Sequence, residues 1–302
     1  MTTTPTQAHR ATNRSRCVCQ PRPCKLIVHA KPADQDGLIR QTVTVHQAGQ
    51  AQHREDWLIE ETPVELRYNG KAYAVMMSTP TDLEDFAYGF SLSEGCVARA
   101  FDILSVAIDA QPKGYIVDIS IAGMVPTRPE SERLMPGRSG CGVCGSRRLE
   151  DVLRPAPPVA DGPRLGSDAL ERALATLAQR QPLNHSTGAA HAAAWATTEG
   201  EIQYVREDVG RHNALDKLLG ALSRDQVDLR HGFVLVTSRA SYEMVTKAAR
   251  LGVGLLAAIS APTALAVQIA HASNLTLAAF VRPGRHVVYS HPQRLKHCLT
   301  LL

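Results

Sequence analysis

Residues 233–285 read FVLVTSRASYEMVTKAARLGVGLLAAISAPTALAVQIAHASNLTLAAFVRPGR. Three apolar, strand-like runs (Phe233–Thr237, Val253–Ile259, Leu275–Val281) alternate with two helical stretches, Ser241–Arg250 and Pro262–Ala272. Short connections between them give the pattern of a parallel sheet with right-handed crossovers, an α/β arrangement. The carboxyl ends of three such strands lie along one edge. At those ends stand Thr237-Ser238-Arg239, Ser260-Ala261-Pro262-Thr263 and Arg282-Pro283-Gly284-Arg285. Hydroxyls, N–H groups at two helix starts and three arginines suit a phosphate or pyrophosphate. Structural caps would account for the serines and threonines, but not for arginines at two of the three ends.

Toward the N-terminus the same region continues with a short helix, HNALDKLLGAL, after Gly210-Arg211. Before it come a hairpin-like EGEIQYVRED, the stretch HSTGAAHAAAWAT, and a helix through ALERALATLAQR that Asp168 can cap. His185, His191 and His212 fall here. A histidine beside a glycine turn is more often hydrogen-bonded than a metal ligand, and with Asp208 and Arg211 these three read as the wall of a polar site.

PAPPVADGPRLG, residues 155–166, reads as a stiff linker. Just before it, residues 138–145 are RSGCGVCG, two thiols two residues apart among glycines. Arg138, Arg147 and Arg148 surround the pair, and positive charge favours a nucleophilic thiolate. A lone CxxC is unspecific. Structural zinc is the commonest use of such a pair in an intracellular chain, and dithiol redox chemistry and sulfur carriage remain open beside it.

The first half reads differently. TVTVH, DWLIEE and VELRYNGKAYAVMM are short alternating runs, and Asn69-Gly70 is a type I′ hairpin signal. Thr81-Asp82-Leu83-Glu84 has the form of a capping box, with Thr81 as N-cap, for a helix that carries Leu83, Phe86, Ala87, Phe90 and Leu92 as core candidates and that Gly95 can end. Ile103–Ile108 and Tyr115–Ile121 form a second strand pair. The first 33 residues lack Asp and Glu and are rich in Thr, Arg, Gln and Pro, the composition of a disordered tail. Cys17, Cys19 and Cys24 lie in it without an apparent fourth metal ligand. The expected divisions are therefore a tail (1–33), an N-terminal antiparallel β-rich domain (34–135), a cysteine loop with linker (136–166) and an α/β domain (167–302).

A formal charge of +4 on 302 residues argues against a dedicated nucleic-acid binder. Seven cysteines without a repeating pattern, no signal-peptide core and no bilayer-length apolar run point to a cytoplasmic protein away from membranes.

TPTDLEDFAYGFSLSEG, GRSGCGVCG, STGAAHAAA, REDVGRHNALDKLLG, SRASYEMVTKAARLGV and FVRPGRHVVYSHPQRL, in this order, resemble the motifs of the FdhD/NarQ family of formate dehydrogenase accessory sulfurtransferases. The resemblance covers nearly the whole chain after the tail. It implies a three-layer α/β/α domain like cytidine deaminase, beside the smaller β-rich domain, and a homodimer. It also implies a sulfur carrier that takes a persulfide from a cysteine desulfurase. The sulfur passes to the metal of the bis(molybdopterin guanine dinucleotide) cofactor, a bound substrate for which GDP is an analogue, before insertion into formate dehydrogenase. On this resemblance Cys141 carries the persulfide and Cys144 assists. The cofactor stretch falls on Phe280, Val281, Arg282, Pro283, Gly284 and Arg285, and Ser238, Arg239 and His191 complete the proposed contacts. Where the family commonly has two glycines after the threonine, this chain has Thr187-Gly188-Ala189-Ala190.

Three rivals lack their expected context. A zinc nucleoside deaminase wants H-x-E followed by PCxxC; here Ala192 and Ala193 follow His191, and the CxxC lies upstream without a preceding proline. A thioredoxin-like dithiol follows a strand and opens a helix, which this pair does not. A zinc scaffold finds only Cys96 and Cys298 elsewhere after the tail, without paired spacing.

Overall fold

The computed structural model describes residues 37–126 and 157–296, together with the backbone of 25–29. The first half contains β1 (Lys25–His29), β2 (Leu38–Gln47), β3 (Gln50–Ile59), β4 (Thr62–Tyr68), β5 (Lys71–Ser78), α1 (Leu83–Ser93), β6 (Ile103–Gln111) and β7 (Gly114–Ile121). β2 and β3 form a ribbon of their own; the others make a five-stranded sheet ordered β1-β6-β7-β4-β5. Asn69 and Gly70 join β4 to β5 with φ of +49° and +77°, the positive pair a type I′ turn requires. Two antiparallel hairpins result, as the alternation predicts, but they meet through a parallel β4–β7 pairing. The span expected to be a disordered tail needs correction at its end, because KLIVH pairs in parallel with β6 along five residues.

α1 packs Phe86, Ala87 and Phe90 onto Leu66, Tyr68, Val106 and Ile119 of this sheet. Its five predicted core residues are all buried. The capping box does not form: Asp82, not Thr81, is the N-cap, with no side-chain cap bond. Glu84 turns instead to Arg224, 2.7 Å away.

The second half contains β8 (Leu165–Gly166), α2 (Ser167–Leu177), α3 (Pro182–Thr187), β9 (His191–Thr197), β10 (Ile202–Asp208), α4 (Arg211–Arg224), β11 (Gly232–Val236), α5 (Tyr242–Arg250), β12 (Leu255–Ala258), α6 (Ala264–Ala272), β13 (Thr276–Arg282), β14 (Arg285–Ser290) and β15 (Leu295–Lys296). Its main sheet is ordered β10-β9-β11-β12-β13-β14. β11, β12 and β13 are parallel, as their helical connections demand; β9, β10 and β14 run antiparallel to their neighbours. Strand alternation feeds two cores. Trp195, Val234, Leu256 and Leu277 face α4, α5 and α6, whereas Ala194, Phe233, Leu235 and Ala278 face α2. A three-layer α/β/α body follows. Asp168 does not cap α2, whose N-cap is Gly166; it pairs with Arg172 one turn on.

The two halves meet where α1 crosses α4 at reciprocal glycines. A Cβ on Gly89 would stand 1.7 Å from Asp216 O, and one on Gly220 would stand 1.8 Å from Asp85 O, so only hydrogen allows this approach. Charged groups line the crossing. Lys247 Nζ lies 2.9 Å from Asp216 and 2.7 Å from Glu94, and also donates to Ser93 Oγ. Asp85 bridges Arg206 and Arg224. Among the described residues, no helix is long and apolar enough to cross a membrane.

Candidate functional site

The carboxyl edge of β11, β12 and β13 collects more than the loops read from the sequence. Because β9 runs antiparallel to β11, its first residue, His191, lands beside the end of β11. There the Ala192 N–H donates to Thr237 Oγ1 at 2.9 Å, and the Thr237 N–H returns to Ala192 O. β10 pairs Asp208 opposite His191. The chain then turns at Gly210 into α4, which brings Arg211 and His212 to the same edge. His185 is exposed on α3. Gly188 ends α3 with φ +66°, so it takes the one left-handed position; Ala189 has no positive φ and donates to Thr187 Oγ1.

The arginine loops are arranged differently from the expectation in several respects. Ser238 is buried and its hydroxyl donates to Arg239 O; Thr263 Oγ1 accepts from Ala266 N as the cap of α6. Both hydroxyls serve the local fold. Ala240 and Pro262 bridge the β11 and β12 loops, leaving Arg239 exposed beside them. Val281 belongs to the core and offers no surface of its own. The third strand does not stop at the edge: Pro283 and Gly284, the latter at φ +70°, fold β13 back into β14, a strand the sequence reading omitted. Arg282 donates to Ile259 O and Val281 O, tying two strand ends together, while Arg285 faces solvent. Phe280 bulges outward at φ +51°, 38% exposed, with its N–H on Ser260 O. A left-handed aromatic is costly unless its surroundings impose it, and such strain gathers at functional sites. Behind this edge a cleft of about 600 Å³ opens between α2 (Leu174, Ala175) and Ile259, Arg282 and Pro283.

Electrostatics divide the edge into an arginine-rich end and an imidazole end. Burial lowers the pKa of His191, and Arg211 and His212 lower it further. His212 is likewise pulled down, first by burial and then by Arg211 and Lys247, against the opposing Glu243. Burial pushes Glu243 the other way, yet the facing His212 ring holds it below the usual carboxylate range. Beneath this surface Asp208 accepts from Ser78 Oγ (2.6 Å), Thr79 N, Gly210 N and Asn213 Nδ2, and ion-pairs with Lys217 at 2.7 Å. This cluster braces the Gly210 turn against the end of β5.

Cys141 and Cys144 lie outside the described residues. Sequence reasoning missed the supporting charges Asp216, Lys217 and Lys247. Their one signal was that Asp216-Lys217 interrupts an apolar stripe in HNALDKLLGAL.

Three comparisons bear on these features. Residues 59–296 match the model of the FdhD/NarQ family. A protein of Cupriavidus necator named sulfur carrier protein FdhD is 54% identical over 243 residues, covering 80% of this chain and 84% of that one. Its namesake in Xanthomonas euvesicatoria pv. vesicatoria is 52% identical over 263 residues, 86% of this chain and 92% of the other. Among solved structures, one described as a formate dehydrogenase accessory protein from Desulfotalea psychrophila superposes with a TM-score of 0.71 at 26% identity, covering 86% of this chain and all of that one.

Proposed function

The chain belongs to the FdhD/NarQ family, and on that premise we propose that it is a sulfur carrier serving formate dehydrogenase. The observation that carries this reading is the likeness, along most of both chains, to proteins named sulfur carriers. In the proposed reaction the Cys141 thiolate attacks the outer sulfur of a persulfide on a cysteine desulfurase. A new S–S bond forms, and the desulfurase thiolate leaves. The exchange favours an accessible thiolate, which the flanking Arg138, Arg147 and Arg148 promote.

Delivery requires more than exchange, because the outer sulfur is formally zerovalent and a sulfide ligand is S²⁻. Cys144 supplies the two electrons. Its thiolate attacks the Cys141 sulfur, a Cys141–Cys144 disulfide closes, and the outer sulfur departs as sulfide to the metal of the bis(molybdopterin guanine dinucleotide) substrate. A cellular dithiol then restores the pair. The carboxyl edge is the proposed cradle for that substrate, with Arg239 and Arg285 meeting phosphates, Arg282 holding the strand ends, and Phe280 offering a ring face. GDP is the corresponding analogue. Holding the substrate in place is the main catalytic service of the folded part. The same reading gives a cytoplasmic homodimer.

Incubation with a cysteine desulfurase and cysteine is expected to add one sulfur to Cys141, mapped by mass spectrometry of the peptide. Cys144→Ala should load normally and fail to release sulfide. Loading that survives Cys141→Ala rejects the assignment.

A further inference from the structure

His212 is 1% exposed, and neither of its ring nitrogens has a hydrogen-bond partner. Leaving two buried ring nitrogens unmatched is costly, and native proteins rarely do it without a reason. The ring stands between the first turns of α4 and α5. Its Nε2 lies 3.6 Å from Glu243 Oε2, too far for a hydrogen bond. Neither helix start is closed by a side chain: Gly210, the N-cap of α4, has none, and Ser241, the N-cap of α5, has a hydroxyl without a partner. Arg211 Nε is also buried and unmatched. Two uncapped helix N-termini, an unmatched guanidinium nitrogen, an unmatched hydroxyl and an unmatched imidazole converge on one place. Arg211, Ser241 and Glu243 are only half-buried, so the rim of this place is in contact with solvent.

We infer that the first turns of α4 and α5 form an oxyanion site in which His212 takes up a proton as a phosphate or diphosphate group binds. Helix N-termini and arginine attract such a group. Glu243 opposes a bare anion, and this couples binding to protonation, since an imidazolium between carboxylate and anion satisfies both. The groups facing the ring are Arg211 from α4 and Glu243 and Lys247 from α5; His191 of β9 stands nearby, with Asp208 of β10 beside it. Burial, and then the cations Arg211 and Lys247, disfavour the charged ring against the pull of Glu243. An arriving anion reverses that balance. The inference rests on the reading that a phosphate-bearing substrate uses this edge, but it assigns the anion to residues other than Arg239, Arg282 and Arg285.

The test is titration calorimetry of the full chain with inorganic pyrophosphate at neutral pH, in two buffers of different ionisation enthalpy. Proton uptake on binding is expected, together with movement of the His212 ring ¹⁵N signals to the imidazolium pattern. His212→Gln, its fold checked by thermal melting, should bind roughly tenfold or more weakly and take up no proton. Absence of binding to the folded wild type, binding without an imidazolium signal, or unchanged affinity in His212→Gln overturns the site. If the variant fails to fold, the wild-type ring signals decide alone. Persulfide loading of Cys141 is read on the same wild-type preparation, so loss of this site with loading intact leaves the sulfur-carrier reading standing.

Discussion

Asp208 and Lys217 are both fully buried, and their pairing at 2.7 Å makes each indispensable to the other. The carboxylate takes four further donors, while Lys217 Nζ also reaches Thr79 O at 2.9 Å. Such a pair adds little over an apolar replacement of both partners, but removing one strands the other in a medium that cannot solvate it. Lys217→Met is therefore expected to cost about 3–5 kcal/mol of stability, read from urea unfolding. Asp228→Asn, at a solvent-exposed pair with Arg230, should leave the unfolding midpoint where it is. Both pairs consist of ordinary charged residues, and the only local difference is that Asp216-Lys217 interrupts an apolar stripe. Burial of Lys217 follows from α1 lying over α4.

The glycine crossing decides how the elements α1 and α4 meet. Considered as an isolated helix, α4 gains by Gly220→Ala, because alanine propagates a helix better by about 1 kcal/mol. In the folded protein the added methyl stands 1.8 Å from Asp85 O. Overpacking of this kind typically costs about 1–3 kcal/mol or more, so the expected sign is destabilising, and the urea midpoint of Gly220→Ala checks it. A midpoint that rises would show that the helices separate freely. The local signals read well at this scale in some places and not in others. Asn69-Gly70 formed its turn because both residues tolerate positive φ whatever surrounds them. The Thr81–Glu84 box gave way because Arg224, distant in sequence, offered Glu84 a stronger partner than a backbone N–H.

Across the whole molecule the two imidazoles at the carboxyl edge set part of the pH response. His191 and His212 have folded pKa values below the ordinary 6.5, first because of burial. The unfolded chain then binds more protons than the folded one between those lowered values and 6.5, and stability rises with pH in that window. Their contribution is present above about 6.5 and is lost as the pH falls through the folded values. Urea midpoints should thus fall between neutral pH and mild acid, and His212→Gln should flatten the decline; an equal decline in that variant removes His212 from the account.

The strand and helix order of residues 233–285, the common edge of three strand ends, the Asn69-Gly70 hairpin and the core face of α1 were determined by the sequence alone. Each rests on local periodicity, turn chemistry or the handedness of a short crossover. Tertiary structure alone decided that β9 inserts between β10 and β11, that KLIVH joins the first sheet, that β14 returns along β13, and that Lys217 and Lys247 are buried. It also brought His191 and His212 to the same edge as the arginine loops. Apart from the β13–β14 return, which a two-residue turn closes, those outcomes depend on contacts between segments tens to hundreds of residues apart, whose free energy is settled only when the partner surface is in place.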